Sequence, residues 1–302
     1  MQLSILIPTL GRQTLQPVLF ALTRCDGWAT VQPEVVVVLD APQVTDRQVW
    51  EQTQARYAHV LQMRFLESTG ADRSAARNIA IDAARGEVLC FLGDDTLPTP
   101  AWLQHLTGFF MSHPEPTTAL LGTALWTPVL LADPFHRWLL GSVQFQLPAY
   151  QSAFTRVWRG IQGYYYPTWR DFHTACVAVP RALLGEERFS ERFTGWGFED
   201  TELGYRLWQR GMQLHYLPEW TVYHDHLQTP EAVWQRTRES RHNAAIFESL
   251  YPELPILPRG VKRTVLTFIL QLLRPLVWGC ERLGLAPRLR WWYCWKRAWL
   301  GR

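Results

Sequence analysis

EVLCFLGDD, Glu87 to Asp95, is the stretch that decides the fold. Its apolar run is too short for an ordinary helix, fits a buried strand, and ends abruptly at Gly93-Asp94-Asp95. Immediately upstream, the pattern from about Ser74 to Ala84 predicts a helix that stops at Gly86. Further back, EVVVVL (34–39) and LSILI (3–7) are β-branched runs ending at Asp40-Ala41-Pro42 and at Pro8-Thr9, as buried parallel strands do when they lead into loops. Helical patterns at Pro17–Arg24 and Gln48–Tyr57 and a strand at Val60–Phe65 complete the alternation. Strand, helix, strand, helix, strand is the pattern of a right-handed parallel α/β layer, whose ligands sit beyond the carboxyl ends of the strands. Three of those ends carry Thr9, Asp40 and Asp94-Asp95, which that topology brings to one crevice.

From about Ala119 to Val179 the pattern loosens into aromatic and proline-rich segments such as QGYYYPTW (162–169), with a strand at Thr174–Val179. A helix from Asp200 to Gln209 closed by Gly211, a strand at Gln213–Tyr216 and a helix over 230–250 follow. Pro252, Pro255 and Pro258 then mark a linker. The reading gives a domain over 1–226, a helical extension with linker over 227–260, and a tail over 261–302.

At 302 residues, 47% apolar and 19% charged, the chain is an ordinary globular one apart from sixteen tryptophans, whose surfaces suit sugar rings, cores and membrane interfaces alike. Five scattered cysteines without CxxC spacing exclude a zinc-site reading and are simplest in a reduced, cytoplasmic setting. MQLSILIPTL has no basic segment and meets Pro8 too early for a signal peptide or a spanning helix. The net charge of +3 belongs to the tail, where residues 261–302 hold nine Lys/Arg against one Glu. The remainder is net acidic, which with the lack of a recognition motif argues against a nucleic-acid partner.

Each candidate for chemistry has a plain alternative. Asp94 and Asp95 can bind a divalent cation alongside phosphate oxygens, or simply make a turn in GDDTLPTP. Tyr223-His224-Asp225-His226 can lend an imidazole to such a cation, or sit inert at the surface. Arg73 and Arg77 lie early in a helix, against the preference of its dipole, so a diphosphate or a carboxylate nearby would account for them; a solvated face is the alternative. TGWGFEDTEL (194–203) places acids in a first helical turn, where free N–H groups favour them, and Glu202 can pair with Arg206 one turn on. That leaves Gly195-Trp196-Gly197-Phe198 unexplained. An aromatic wall there would raise a carboxylate's pKa toward that of a general base.

Together SILIPTLGR, VVVVLD, SAARNIAIDAARGEVLCFLGDD and FTGWGFEDTELGYRLWQRG followed by YH resemble family 2 of the inverting glycosyltransferases, over roughly residues 1–226. The last motif is similar to that of galactosyl- and N-acetylgalactosaminyltransferases and chondroitin polymerases. The resemblance implies the GT-A fold, an α/β Rossmann-like, mostly parallel sheet flanked by helices, here with a C-terminal helical tail. It implies a nucleotide-sugar donor and a Mn²⁺ or Mg²⁺ ion. On these residues, Thr9 and Asp40 would contact the nucleoside, Arg77 or Arg73 the donor side, and Asp94 the ribose. Asp95 would hold the metal with His224 opposite, Asp200 would be the catalytic base with Glu199 its hydrogen-bonding neighbour, and Trp196 an acceptor platform. The chain departs from the family in keeping one acid before Ala41-Pro42, where paired acids and Gly-Ser are common, and in having Gly93 at the first place of the DxD.

The tail (261–302) combines apolar runs, five tryptophans and basic residues, but Gln271, Arg274 and Pro275 interrupt it. Amphipathic helices lying in a membrane interface fit better than a spanning helix, the alternative being helices packed on the catalytic domain or on a second subunit. The expected protein is thus a glycosyltransferase peripheral at the cytoplasmic face of a membrane, acting on a saccharide or glycolipid acceptor. A nucleotidyltransferase, or a non-catalytic sugar-nucleotide-binding or membrane scaffold protein, is the competing reading.

Overall fold

The computed structural model describes residues 1–40, 44–60, 62–70, 72–140 and 167–301. The turn at Ala41-Pro42 and most of QGYYYPTW lie outside the described residues. Eight strands form one sheet: β1 (Leu3–Thr9), β2 (Glu34–Asp40), β3 (Met63–Ser68), β4 (Val88–Leu92), β5 (Thr96–Pro98), β6 (Thr118–Trp126), β7 (Cys176–Pro180) and β8 (Gln213–His224), in the order β3-β2-β1-β4-β7-β6-β8-β5. The β3-β2-β1-β4 half is parallel, as the sequence predicts. Beyond it the sheet is mixed: β7 is antiparallel to β4 and β6, β6 is parallel to β8, and β5 is antiparallel to β8.

Successive residues of the central strands point to opposite faces, and both faces are buried. Ile5, Val37 and Cys90 pack with α1 (Leu15–Thr23), α2 (Arg47–Tyr57) and α4 (Trp102–Ser112). Leu6, Val36 and Phe91 pack with α3 (Arg73–Ala83) and α5 (Glu199–Gln209). Burial on two faces is why these strands read as near-continuous apolar runs rather than alternating ones.

Two expectations are corrected here. The stretch from Ala119, expected to be irregular, opens with the nine-residue β6 (TALLGTALW), and the strand expected at Gln213–Tyr216 runs on to His224. Gly122 interrupts the apolar pattern of β6 because the sheet has no room for more: a Cβ there would lie 2.4 Å from the Trp220 carbonyl oxygen and 2.5 Å from Cys176 Sγ.

Residues 1–132, 139–191 and 199–226 make one compact unit; 133–138, 192–198 and 227–302 make a second. In the second, α6 (Pro230–Leu250), α7 (Gly260–Arg282) and α8 (Pro287–Trp299) are the long helices, and α8 packs on both others. Several of the tryptophans are used here: Phe135 stacks on Trp138 at 5.6 Å, and both meet Trp234 and Trp291. Among the described residues no helix is long and apolar enough to cross a membrane.

Candidate active site

Strand register gathers the acids. β1 and β2 run side by side with Thr9 opposite Leu39, so Thr9 and Asp40 end together, both buried. Thr9 Oγ1 donates to Asp94 Oδ2 at 2.7 Å, joining the end of β1 to the loop after β4. Because β8 pairs with β5, His224 lies opposite Thr96, and the Asp225 N–H donates to the Asp95 carbonyl at 2.9 Å. That pairing sets His224 Nδ1 3.5 Å from Asp95 Oδ1. Arg12, to which the sequence reading gave no role, lies 3.6 Å from Asp94 and 3.9 Å from Asp95. Its signal was its place three residues past Thr9, at the mouth of the first strand.

The two aspartates respond oppositely. Burial and the neighbouring charge of Asp95 raise Asp94, against Arg12 and the hydrogen bonds from Thr9 and Leu10. Burial also works to raise Asp95, but the hydrogen bond and charge of His224, with Arg12 and His226, outweigh it and hold Asp95 below the usual carboxylate range.

A second carboxylate pair lies at the start of α5. Glu199 is buried, and its Oε1 accepts from Arg77 Nη1 at 3.0 Å, with Arg73 Nη1 at 4.0 Å. Of the two readings of these arginines, the one with an anion nearby holds, and that anion is a carboxylate of the chain itself, 122 residues from Arg77. Burial raises Glu199, but Arg77 and Arg73 more than cancel it, so Glu199 stays ionised. Its Oε2 is buried without a hydrogen-bond partner among the described residues, an acceptor that a ligand hydroxyl can fill. Asp200 is partly buried, and burial and the charge of Glu199 push it up to about 6, against Arg77 and the backbone N–H groups of Thr201 and Thr174. Adjacent carboxylates whose affinities are driven apart in this way divide into a fixed charge and a base able to work near neutral pH.

Thr174 stands in the segment leading into β7, which β4 pairs from Leu92 opposite Cys176. Its neighbour His173, also missed from sequence, has both ring nitrogens buried without a partner among the described residues. Burial and the charge of His224 push it down to about 4, so it is neutral. Glu202 pairs with Arg206 at 2.8 Å, as its spacing predicts.

Trp196 belongs to the second unit, where Arg236 lies 4.2 Å from the ring centroid. The loop around it is held by one buried side chain: Asn243 Nδ2 donates to the carbonyls of Thr194 (2.9 Å), Gly197 (2.8 Å) and Trp196 (3.3 Å). Gly197 has φ +92°, and a Cβ there would lie 2.7 Å from Ser240 Oγ, which accounts for glycine at that place.

Among the described residues no three His, Cys, Asp or Glu side chains group to hold a metal ion. Asp95 and His224 do suit one: a carboxylate oxygen and an imidazole nitrogen 3.5 Å apart can share an ion as neighbouring ligands, with its other positions left to phosphate oxygens and water.

Comparison with known proteins bears on the family and the fold. Residues 2–242 match the family described as "Glycosyltransferase like family 2". The chain is 28% identical over 244 residues to the Validoxylamine A glucosyltransferases of Streptomyces hygroscopicus subsp. limoneus and subsp. jinggangensis (strain 5008), covering 76% of this chain and 53% and 57% of theirs. It thus spans about half the length of these relatives. Among solved structures, the mannosyltransferase PcManGT from Pyrobaculum calidifontis in complex with GDP-Man and Mn²⁺ aligns with TM-score 0.62 at 17% identity, covering 99% of this chain and 85% of that one. S. aureus TarS 1–349 in complex with UDP-GlcNAc aligns with TM-score 0.55 at 18% identity, covering 81% and 66%. At such identities the structural likeness is one of fold.

Proposed function

The chain belongs to glycosyltransferase family 2, and from that premise we propose that it transfers a sugar from a nucleotide sugar to a hydroxyl of a saccharide or lipid-linked acceptor, inverting the anomeric carbon. The observation that carries the reading is the split between Glu199 and Asp200. A carboxyl pushed up to about 6 at the start of α5 is ionised at neutral pH yet basic enough to take a proton from an attacking hydroxyl. Glu199, held ionised by Arg77 and Arg73, maintains that poise and offers Oε2 to a sugar hydroxyl. The two arginines, expected on the donor side, act in this reading by fixing the charge of Glu199.

Donor binding is assigned to the crevice at the ends of β1, β2 and β4, with Thr9 and Asp40 toward the nucleoside and Asp94 toward the ribose. Asp95 and His224 would hold Mn²⁺ or Mg²⁺, which when bound supplies positive charge to the departing diphosphate. Arg12 adds a fixed cation at the same place. We assign a UDP-sugar as donor; the TarS complex holds UDP-GlcNAc and the PcManGT complex GDP-Man, so both nucleotides occur on this fold. Trp196, as an acceptor platform, belongs to the same proposal, as does the likeness of WGFED to galactosyltransferase motifs.

A donor panel with Mn²⁺ tests the reading. Nucleotide release from UDP-sugars is expected; release only from GDP- or dTDP-sugars would refute the donor. Donor binding without turnover in the presence of acceptors would favour a scaffold, and pyrophosphate release from a nucleoside triphosphate would favour a nucleotidyltransferase.

A further inference from the structure

α7 has two apolar faces, and among the described residues only one is covered. Leu266, Leu270, Leu273 and Val277, three or four residues apart, pack against Leu289, Trp292, Tyr293 and Leu300 from α8 and the turn after it. Around the helix from them, Val261, Val265, Phe268, Ile269, Leu272 and Leu276 recur at the same spacing and are 38–80% exposed. An apolar stripe of this length left in water marks a surface made to be covered. At 1.5 Å per residue the stripe from Val261 to Leu276 runs for about 23 Å along the 23-residue helix.

We propose that this face of α7 docks on an anionic phospholipid surface, the helix lying in the plane of the headgroups. Charge selects the occupant. Residues 261–302 carry nine Lys/Arg and a single acid, Glu281. Lys262, Arg263, Arg274 and Arg288 are exposed and have no ion-pair partner among the described residues. Two copies meeting through this stripe would bring like charges together, whereas anionic headgroups neutralise them. Trp278, 56% exposed with Arg282 3.7 Å from its ring centroid, and Trp295 beside Lys296 at 4.3 Å pair an aromatic body with a cation, the combination that suits headgroup depth. This docking is independent of the catalytic reading above.

The test is cosedimentation of the full chain with vesicles of phosphatidylcholine alone and of phosphatidylcholine with phosphatidylglycerol. The wild-type chain is expected to partition onto the anionic vesicles at least about tenfold more strongly than onto neutral ones, with high salt reducing the difference. The triple variant Phe268→Gln, Leu272→Gln, Leu276→Gln is expected to lose at least about tenfold in partitioning while keeping its Tm and its donor turnover. Arg274→Glu with Arg288→Glu should lose the preference for anionic vesicles and keep the fold. The proposal is overturned if the triple variant binds anionic vesicles as the wild type does, or if the wild type stays in the supernatant with both. It is also overturned if sedimentation velocity shows a dimer that the triple variant separates, since a second copy is then the occupant.

Discussion

Two pairs of adjacent carboxylates serve the candidate site in the first compact unit, and they are split in opposite directions. In Asp94-Asp95 the first acid is raised and the second lowered; in Glu199-Asp200 the first is lowered and the second raised. In each pair a basic side chain from elsewhere in the chain sets which member is held lower: His224 on Asp95, Arg77 on Glu199. These two partners differ in kind. His224 is a partly exposed imidazole able to serve as a metal ligand, so Asp95 suits a bound cation. Arg77 is buried and permanently charged, so Glu199 is a fixed anion whose field acts on Asp200. The raised members differ as well. Asp94 is tied by Thr9 and Leu10, whereas among the described residues Asp200 accepts from the backbone N–H groups of Thr201 and Thr174 and stays partly exposed at the helix start. The order of two acids in a sequence therefore says nothing about which is the base; the partner does.

The sharpest way to break the comparison is to remove the proposed base. Asp200→Asn should lower kcat/KM by about 10³-fold or more with Tm unchanged, whereas Asp94→Asn, losing a tied carboxyl, should weaken donor binding with a smaller effect on kcat. Folding stability separates the buried arginine from the more open one. Arg77→Met leaves Glu199 buried and unpaired and should cost about 3–5 kcal/mol in denaturant unfolding. Arg12→Met, at a more open pair more than 3.5 Å from its carboxylates, should cost about 1 kcal/mol or less. Asp95→Ala, or chelation of divalent ions, should lower turnover by about 100-fold without altering the pH dependence set by Asp200. Equal activity with and without chelator would remove the metal from the account.

How much of this was legible follows from locality. The buried strands β1, β2 and β4 announced themselves because both sheet faces are covered, and their ends carried Thr9, Asp40 and Asp94-Asp95 in plain view. The pair Glu202–Arg206 was legible because one helical turn separates its members. β6 was not, because Thr118, Gly122 and Thr123 break its apolar run, and Gly122 is dictated by Trp220 and Cys176, far away in sequence. The sequence left an anion near Arg73 and Arg77 as one of two readings and could not name Glu199, since that contact exists only once α3 and α5 pack on the same sheet face. The loop of TGWGF likewise depends on Asn243, whose three carbonyl contacts leave no trace in the motif itself.

The most direct test of the central claim is the pH dependence of kcat/KM for the wild type and for Glu199→Gln. Because the base must be ionised, wild-type activity should be full above and fall as pH drops through about 6, the position to which Asp200 is raised. Removing the charge of Glu199 while leaving Arg77 in place should carry that acid limb downward by about one pH unit or more. A wild-type limb near 4, or a limb that stays at the same pH in Glu199→Gln, would contradict the account.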